Sequence, residues 1–288
     1  MVHGMAVPDV AACLNCGAEM RGAYCASCGQ KAPHTDLTLR EFLHETTEEL
    51  SHLDGKVPRT LKTLLTKPGL LTVDFLAGRR ARWLPPLRVY LICSLAFFVS
   101  KPIVEAVTHR STREVARISL GGSRTGELTA EERRAIEAGL PGRIFGADRL
   151  VRASRDQKRL NRAIDSSFPK AMFVLLPLFA LLTNIAWRRR MPRYPAHIYL
   201  ALHLHAAWFV VLAAGTVLMG VLASTAAAQA IGIVTPAYIA AYTYIAMRRV
   251  FGESRIRTLL KAAAIAPFYA VSLGATALAL LGYAIFTM

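Results

Sequence analysis

Four cysteines carry the strongest chemical signal in this chain. They stand in two tight pairs near its start, in CLNCGAEMRGAYCASCGQ over residues 13–30. Cys13 and Cys16 form one pair, Cys25 and Cys28 the other. Two residues between ligands let one turn aim both thiolates at a single ion, and a zinc ion takes four such ligands in a tetrahedron. Gly17 and Gly29 each follow a pair, where the backbone must fold back toward the sulfurs. About twenty residues cannot bury a useful core, so a ribbon of this size folds on its metal. With cysteine at all four positions no coordination site is left for water, which points to structural rather than catalytic Zn2+. An iron centre or a redox dithiol would use the same residues. The pairing suits a metal site in a reducing compartment better than a disulfide framework.

Histidine supplies the second set of candidates. His44, Glu48 and His52 fall at i, i+4 and i+8, so one helical face could bring all three to one ion. The same spacing serves an ordinary solvated face. Further along, His197, His203 and His205 crowd the start of a long apolar run. On a helix His197 and His205 share a face while His203 points about 160° away from His205, so one helix cannot offer all three to one metal. Buried His203 and His205 need polar partners, through packing against a neighbouring helix or in a proton or metal site. No P-loop, GxGxxG, GxSxG or HExxH occurs, and Cys93 lies among apolar neighbours as an inert thiol.

The elements around these residues read as membrane architecture. Of 288 residues 53% are hydrophobic, mean hydropathy is +0.35, and the excess lies in a few long runs. The pattern predicts an all-α integral membrane protein with about five spans, near residues 87–104, 168–187, 197–223, 231–247 and 259–286. Amphipathic helices over 38–78 precede them, in the manner of interfacial segments. Residues 1–12 read as a disordered start with neither the basic n-region nor the apolar core of a signal peptide. Residues 105–167 form a charged insertion, with a helix expected over Asp148 to Ile164.

The net charge is +16, from 35 Lys plus Arg against 19 Asp plus Glu. The cations gather where apolar runs end: Arg79, Arg80 and Arg82, then Arg188 to Arg190 and Arg193, then Arg248, Arg249, Arg255, Arg257 and Lys261. Such placement fits anionic lipid headgroups and topology rather than a nucleic-acid groove. The positive-inside rule sets these segments and the N-terminus in the cytoplasm. Five crossings then leave the C-terminus and the insertion outside, at the cytoplasmic membrane of a bacterium.

As a set these residues resemble the DUF3667 domain-containing proteins, a bacterial membrane family without an assigned function. The resemblance rests on Cys13-x-x-Cys16-Gly17 with Cys25-x-x-Cys28-Gly29-Gln30, on Leu53-Asp54-Gly55, and on Lys67-Pro68-Gly69. It extends through Phe75-Leu76-Ala77-Gly78-Arg79-Arg80, Pro86-Leu87-Arg88 and Leu202-His203-Leu204-His205. The family pattern has an aromatic between the paired histidines, where this chain has Leu204. The resemblance implies the same fold and carries over no catalytic residue. From the residues themselves, the leading expectation is a membrane-anchored interaction or regulatory protein, with a protein partner at the ribbon and no nucleic acid. The alternatives are a transporter with a path through His203 and His205, and a membrane enzyme acting on lipid.

Overall fold

The computed structural model describes residues 12–31, 55–108, 134–135, 137–222 and 224–287. His44, Glu48 and His52 lie outside them, so nothing structural attaches to that trio. Within the described residues the chain is helical apart from the cysteine ribbon, and it divides into two compact units.

The first unit takes in the N-terminal 110 residues and Leu176–Ile265. Helix α1 runs over Lys56–Thr66 and α2 over Leu70–Leu76. Pro68 and Gly69 separate them, because proline has no N–H to continue α1 and glycine takes a left-handed φ of 77°. Helix α3, Pro86–Thr108, opens on a proline, which is tolerated where the first amides have no helical partner. An apolar helix, α7 over Tyr194–Leu222, is the centre of this unit. It is hydrophobic on all sides, and every residue from Tyr199 to Ala207 is buried. Helices of that kind end up surrounded. Helix α3 packs on α7 through Tyr90, Phe97 and Phe98, whose rings lie 5.3–5.8 Å from that of Phe209. Helix α8, Thr225–Phe251, covers another side of α7 and ends at Gly252.

The second unit comprises residues 111–175 and 266–288. It includes α4 over Leu140–Phe145, α5 over Ala147–Arg155, the start of α6, Gln157–Trp187, and the end of α9, Arg255–Phe286. Its core joins Leu150, Ala153, Leu160 and Ile164 to Ala284 and Ile285. The helix expected over Asp148 to Ile164 is broken at Asp156. That carboxylate accepts the Arg159 amide at 2.9 Å and so starts a new helix as its N-cap.

Among the described residues, four helices are long and apolar enough to cross a membrane: α3, α7, α8 and α9. The sequence suggested five. The difference lies in α6, whose apolar part, Ala171–Trp187, is shorter than the other four. Lys170 and the charged turns before it limit that run.

Candidate functional site

The cysteine ribbon meets the helical bundle at the turn between α2 and α3. The ribbon lies on one side of it and α7 on the other.

Each cysteine pair sits in the same small loop. The Cys13 amide donates to Ala18 O at 2.7 Å and the Gly17 amide to Cys13 O at 2.8 Å. Cys25, Gly29 and Gln30 repeat the pattern, both bonds being 2.8 Å. Gly17 and Gly29 close the loops with φ of 78° and 71°, in the region where glycine is favoured. The two loops set all four Sγ atoms within 4.8 Å of one another, with Cys13 3.6 Å from Cys28 and Cys16 3.5 Å from Cys25. A tetrahedron of sulfurs ~2.3 Å from zinc has edges of about 3.8 Å, so the cluster fits a metal ion of that size. The Cys28 thiol is pulled down to about 6, first by the Asn15 side chain and then by the Gln30 backbone, while at Cys16 the pull of the Ala18 backbone is outweighed by desolvation and the neighbouring sulfurs, which push that thiol up, so without an ion the cluster shares its protons unequally. A thiolate is the form that binds metal.

The ribbon is fastened to the chain that leads into α3. Gln30 is 7% exposed and uses both ends of its amide on one turn. Its Nε2 donates to Gly78 O at 2.7 Å, while its Oε1 accepts the amides of Arg80 at 3.0 Å and Ala81 at 3.1 Å. Arg82 reaches back, donating from Nε to Asn15 Oδ1 at 3.1 Å and from Nη2 to Asn15 O at 2.8 Å. Leu14 lies where a side chain at Gly78 would sit. Asn15 therefore touches both the arginine turn and, through Cys28, the metal ligands.

The turn itself is pinned from within. Asp74 is 5% exposed. Its Oδ1 accepts from Arg79 Nε at 3.0 Å and Nη2 at 2.6 Å, and its Oδ2 accepts the Trp83 indole N–H at 2.8 Å. Arg59 stacks over the Trp83 ring at 5.2 Å. The Leu84 amide, just before α3, donates to buried Thr60 Oγ1 on α1 at 3.2 Å.

On the other side, α1 and α2 lie against α7 and α8. Tyr242 donates to Leu64 O, and Arg249 donates to Pro68 O. Thr72 on α2 meets His203 Nδ1 at 2.9 Å, with the Phe75 ring edge-on to the imidazole.

The three histidines of α7 are not brought together. His197 is held by Thr183 at 3.2 Å and Met191 O at 2.9 Å, and it stacks on Phe251. His205 Nδ1 donates to Ala201 O at 2.8 Å, one turn back, beside Phe179 and Trp208. His203 faces Thr72. Among the described residues, the four cysteines are the only group of His, Cys, Asp or Glu placed to share a metal ion.

Glu253, between α8 and α9, anchors a further cluster that the sequence reading did not single out. Its Oε2 accepts the Trp187 indole N–H and its Oε1 accepts Lys261 Nζ, both at 2.9 Å, with Arg190 at 3.9 Å. The Trp187 ring stacks on Phe251 at 4.2 Å. The Lys261 hydrogen bond, followed by that of Trp187, holds the Glu253 carboxyl below its ordinary value of 4.5. A depressed carboxyl stabilises the fold at pH above its unfolded value. That contribution fades as pH falls through the lower, folded value. We expect the melting temperature of the native protein to drop below pH ~4.5 more steeply than that of Glu253→Gln. The two curves should converge at acid pH, and parallel curves would remove this role for Glu253.

Residues 54–98 match the family model described as Protein of unknown function (DUF3667). The match spans α1, α2, the arginine turn and the first part of α3. No curated protein and no solved structure matches the chain.

Proposed function

We propose that this is a bacterial inner-membrane protein whose ribbon, loaded with structural zinc, holds the basic segment leading into the first span. In doing so it acts as a cytoplasmic regulatory or interaction module. One observation carries this reading: Gln30, next to the cysteine loops, bonds through both ends of its amide to Gly78, Arg80 and Ala81. The metal orders the loops, the loops place Gln30 and Asn15, and these two fix the arginine turn at headgroup level. Anionic lipid headgroups are the expected partners of the arginines. Tyr24, 62% exposed on the ribbon, is a contact point for a protein partner. Aromatic residues are favoured at such positions.

The orientation in this reading is taken from charge, and the packing within each unit supports it. The ribbon, the arginine turn, Arg249 and Glu253 occupy the first unit, at helix ends carrying the basic residues expected inside. The insertion helix α5 packs on the C-terminal end of α9 through Leu150, Ala284 and Ile285, as two segments on one side of the membrane would. We take the short apolar part of α6 as a fifth crossing, since about 17 residues is the lower limit for a span. The histidine geometry lends nothing to the transport or lipid-enzyme alternatives.

The test is hydrogen exchange on the full-length protein in nanodiscs. Zinc content should fall from one ion per chain to none in Cys25→Ser. Exchange at Gly78–Arg82 should rise in that variant, on chelation and in Gln30→Ala, while α3 and α7 stay protected. Ribbons of this kind fold with their metal, so protection should collapse in one step. Unchanged protection of the turn after metal loss would refute the clamp. Loss of specific binding partners from Cys25→Ser with the bundle still folded would support the interaction role, and an unchanged partner set would count against it.

A further inference from the structure

Helix α9 sets a depth scale for the second unit. Its residues 266–286 carry no charge and extend about 30 Å, at 1.5 Å per residue, which is the thickness of a bilayer's hydrocarbon core. The last turn of α9 therefore reaches a headgroup boundary. Tyr283 and Phe286 stand exposed on it, as aromatic residues do at that level.

The insertion helices are in register with this end of the span. A Cβ at Gly282 would stand 3.2 Å from the Phe145 ring, at the end of α4. One turn further out, the Arg149 guanidinium of α5 lies 4.3 Å over the Phe286 ring. Phe145 thus marks a level about 6 Å deeper than Arg149 along α9. Ile144, beside Phe145, is 60% exposed. Beyond that level the chain is basic: residues 143–162 hold seven Lys or Arg against Asp148 and Asp156. Arg143, Arg152 and Arg159 are exposed, and the Asp156 carboxylate is engaged as the cap on the Arg159 amide. An exposed isoleucine at acyl-chain depth, with cations at headgroup depth, is the layering of an interfacial helix. A soluble acidic partner would account for the arginines alone. The layering along α9 accounts for Ile144 as well.

We propose that α4, α5 and the start of α6 form a surface anchor for anionic phospholipid, in the leaflet that α9 reaches at its C-terminal end. Ile144 enters the acyl boundary, while Arg149, Arg152 and Arg159 meet headgroup phosphates. The Phe286 ring holds Arg149 by its flat face and leaves its N–H edges for phosphate oxygens. The anchor belongs to the second unit and uses nothing of the ribbon, so either proposal stands if the other fails.

The experiment uses the full-length protein in nanodiscs of phosphatidylcholine, alone or mixed with phosphatidylglycerol. Hydrogen exchange over residues 143–155 should slow when phosphatidylglycerol is present. Arg152→Gln, at an exposed position, should give back about fivefold of that slowing, as for one arginine near an anionic surface. The emission that Ile144→Trp adds to that of the native protein should be quenched by lipids with brominated acyl chains. Peptides from the arginine turn report on the metal clamp separately in the same exchange data. The proposal is overturned if exchange over 143–155 is the same in both lipids, or if Arg152→Gln responds to phosphatidylglycerol as the native protein does. It is overturned equally if the added tryptophan emission escapes quenching. The lipid comparison on the native protein needs no substitution, so it decides even where a variant fails to fold.

Discussion

Asp74→Ala is expected to destabilise the first unit by about 3 kcal/mol, near the lower end of what breaking a buried ion pair costs. The magnitude follows from who is left behind. Asp74 is 5% exposed and accepts three hydrogen bonds. Arg79 has a side chain 35% exposed and can recover water when the carboxylate goes. Trp83 is 7% exposed, so its indole N–H loses its only strong acceptor in a place water reaches poorly. Most of the loss should therefore travel with Trp83. Arg79→Lys, which keeps the cation beside the carboxylate and leaves the Trp83 bond intact but gives up the two-pronged contact, should lower stability by only about 1 kcal/mol. Thermal unfolding of the purified protein in detergent measures both. Equal losses in the two variants would assign the energy to the ion pair and contradict this account.

The cysteines were legible because coordination geometry is written into spacing: two residues between ligands and a glycine after each pair specify the loop whatever surrounds it. Long apolar runs were legible for a similar reason, since bilayer thickness sets their length. Asp74 was not. A single acid in LLTVDFL looks like an exposed position on an amphipathic turn, and only the path of Arg79 and Trp83 back over α2 shows that it is enclosed. Gln30 belongs to the cysteine motif, yet its role depends on a turn some fifty positions downstream, which no local pattern encodes. The break at Asp156 was missed because a helical charge pattern continues through it, while the N-cap depends on backbone geometry at one residue. The count of helices long and apolar enough to cross differed because α6 carries one continuous helix from charged into apolar sequence, and hydropathy alone places that boundary loosely. The Lys67-Pro68-Gly69 turn had a clear local meaning as a helix break. Its tertiary meaning, a backbone-to-backbone approach, was invisible.

That approach makes Gly69→Ala the sharpest test of how α1 and α2 are held to the bundle. Two separate penalties apply. The φ of 77° places an L side chain in the left-handed region, at about 1–2 kcal/mol. A Cβ would also stand 2.8 Å from Ala246 O, 3.0 Å from its Cα and 3.2 Å from its carbonyl carbon. All three atoms are backbone of α8, so no rotamer change relieves the contact and the helix itself must move. Overpacking of this kind typically costs about 1–3 kcal/mol more. The structure supplies a control in Gly252, which has φ of 61° and nothing within 4 Å of a built Cβ. Gly252→Ala should incur the conformational penalty alone, and the gap between the two variants measures the clash. Gly69→Asn separates the terms from the other direction, because asparagine tolerates the left-handed region yet still carries a Cβ. It should recover little of the loss. Displacing α8 also pulls Tyr242 from Leu64 O and Arg249 from Pro68 O, so hydrogen exchange at α1 and α2 should rise in Gly69→Ala and stay unchanged in Gly252→Ala. If both alanine variants melt alike, the turn does not bear on α8 as closely as these distances require.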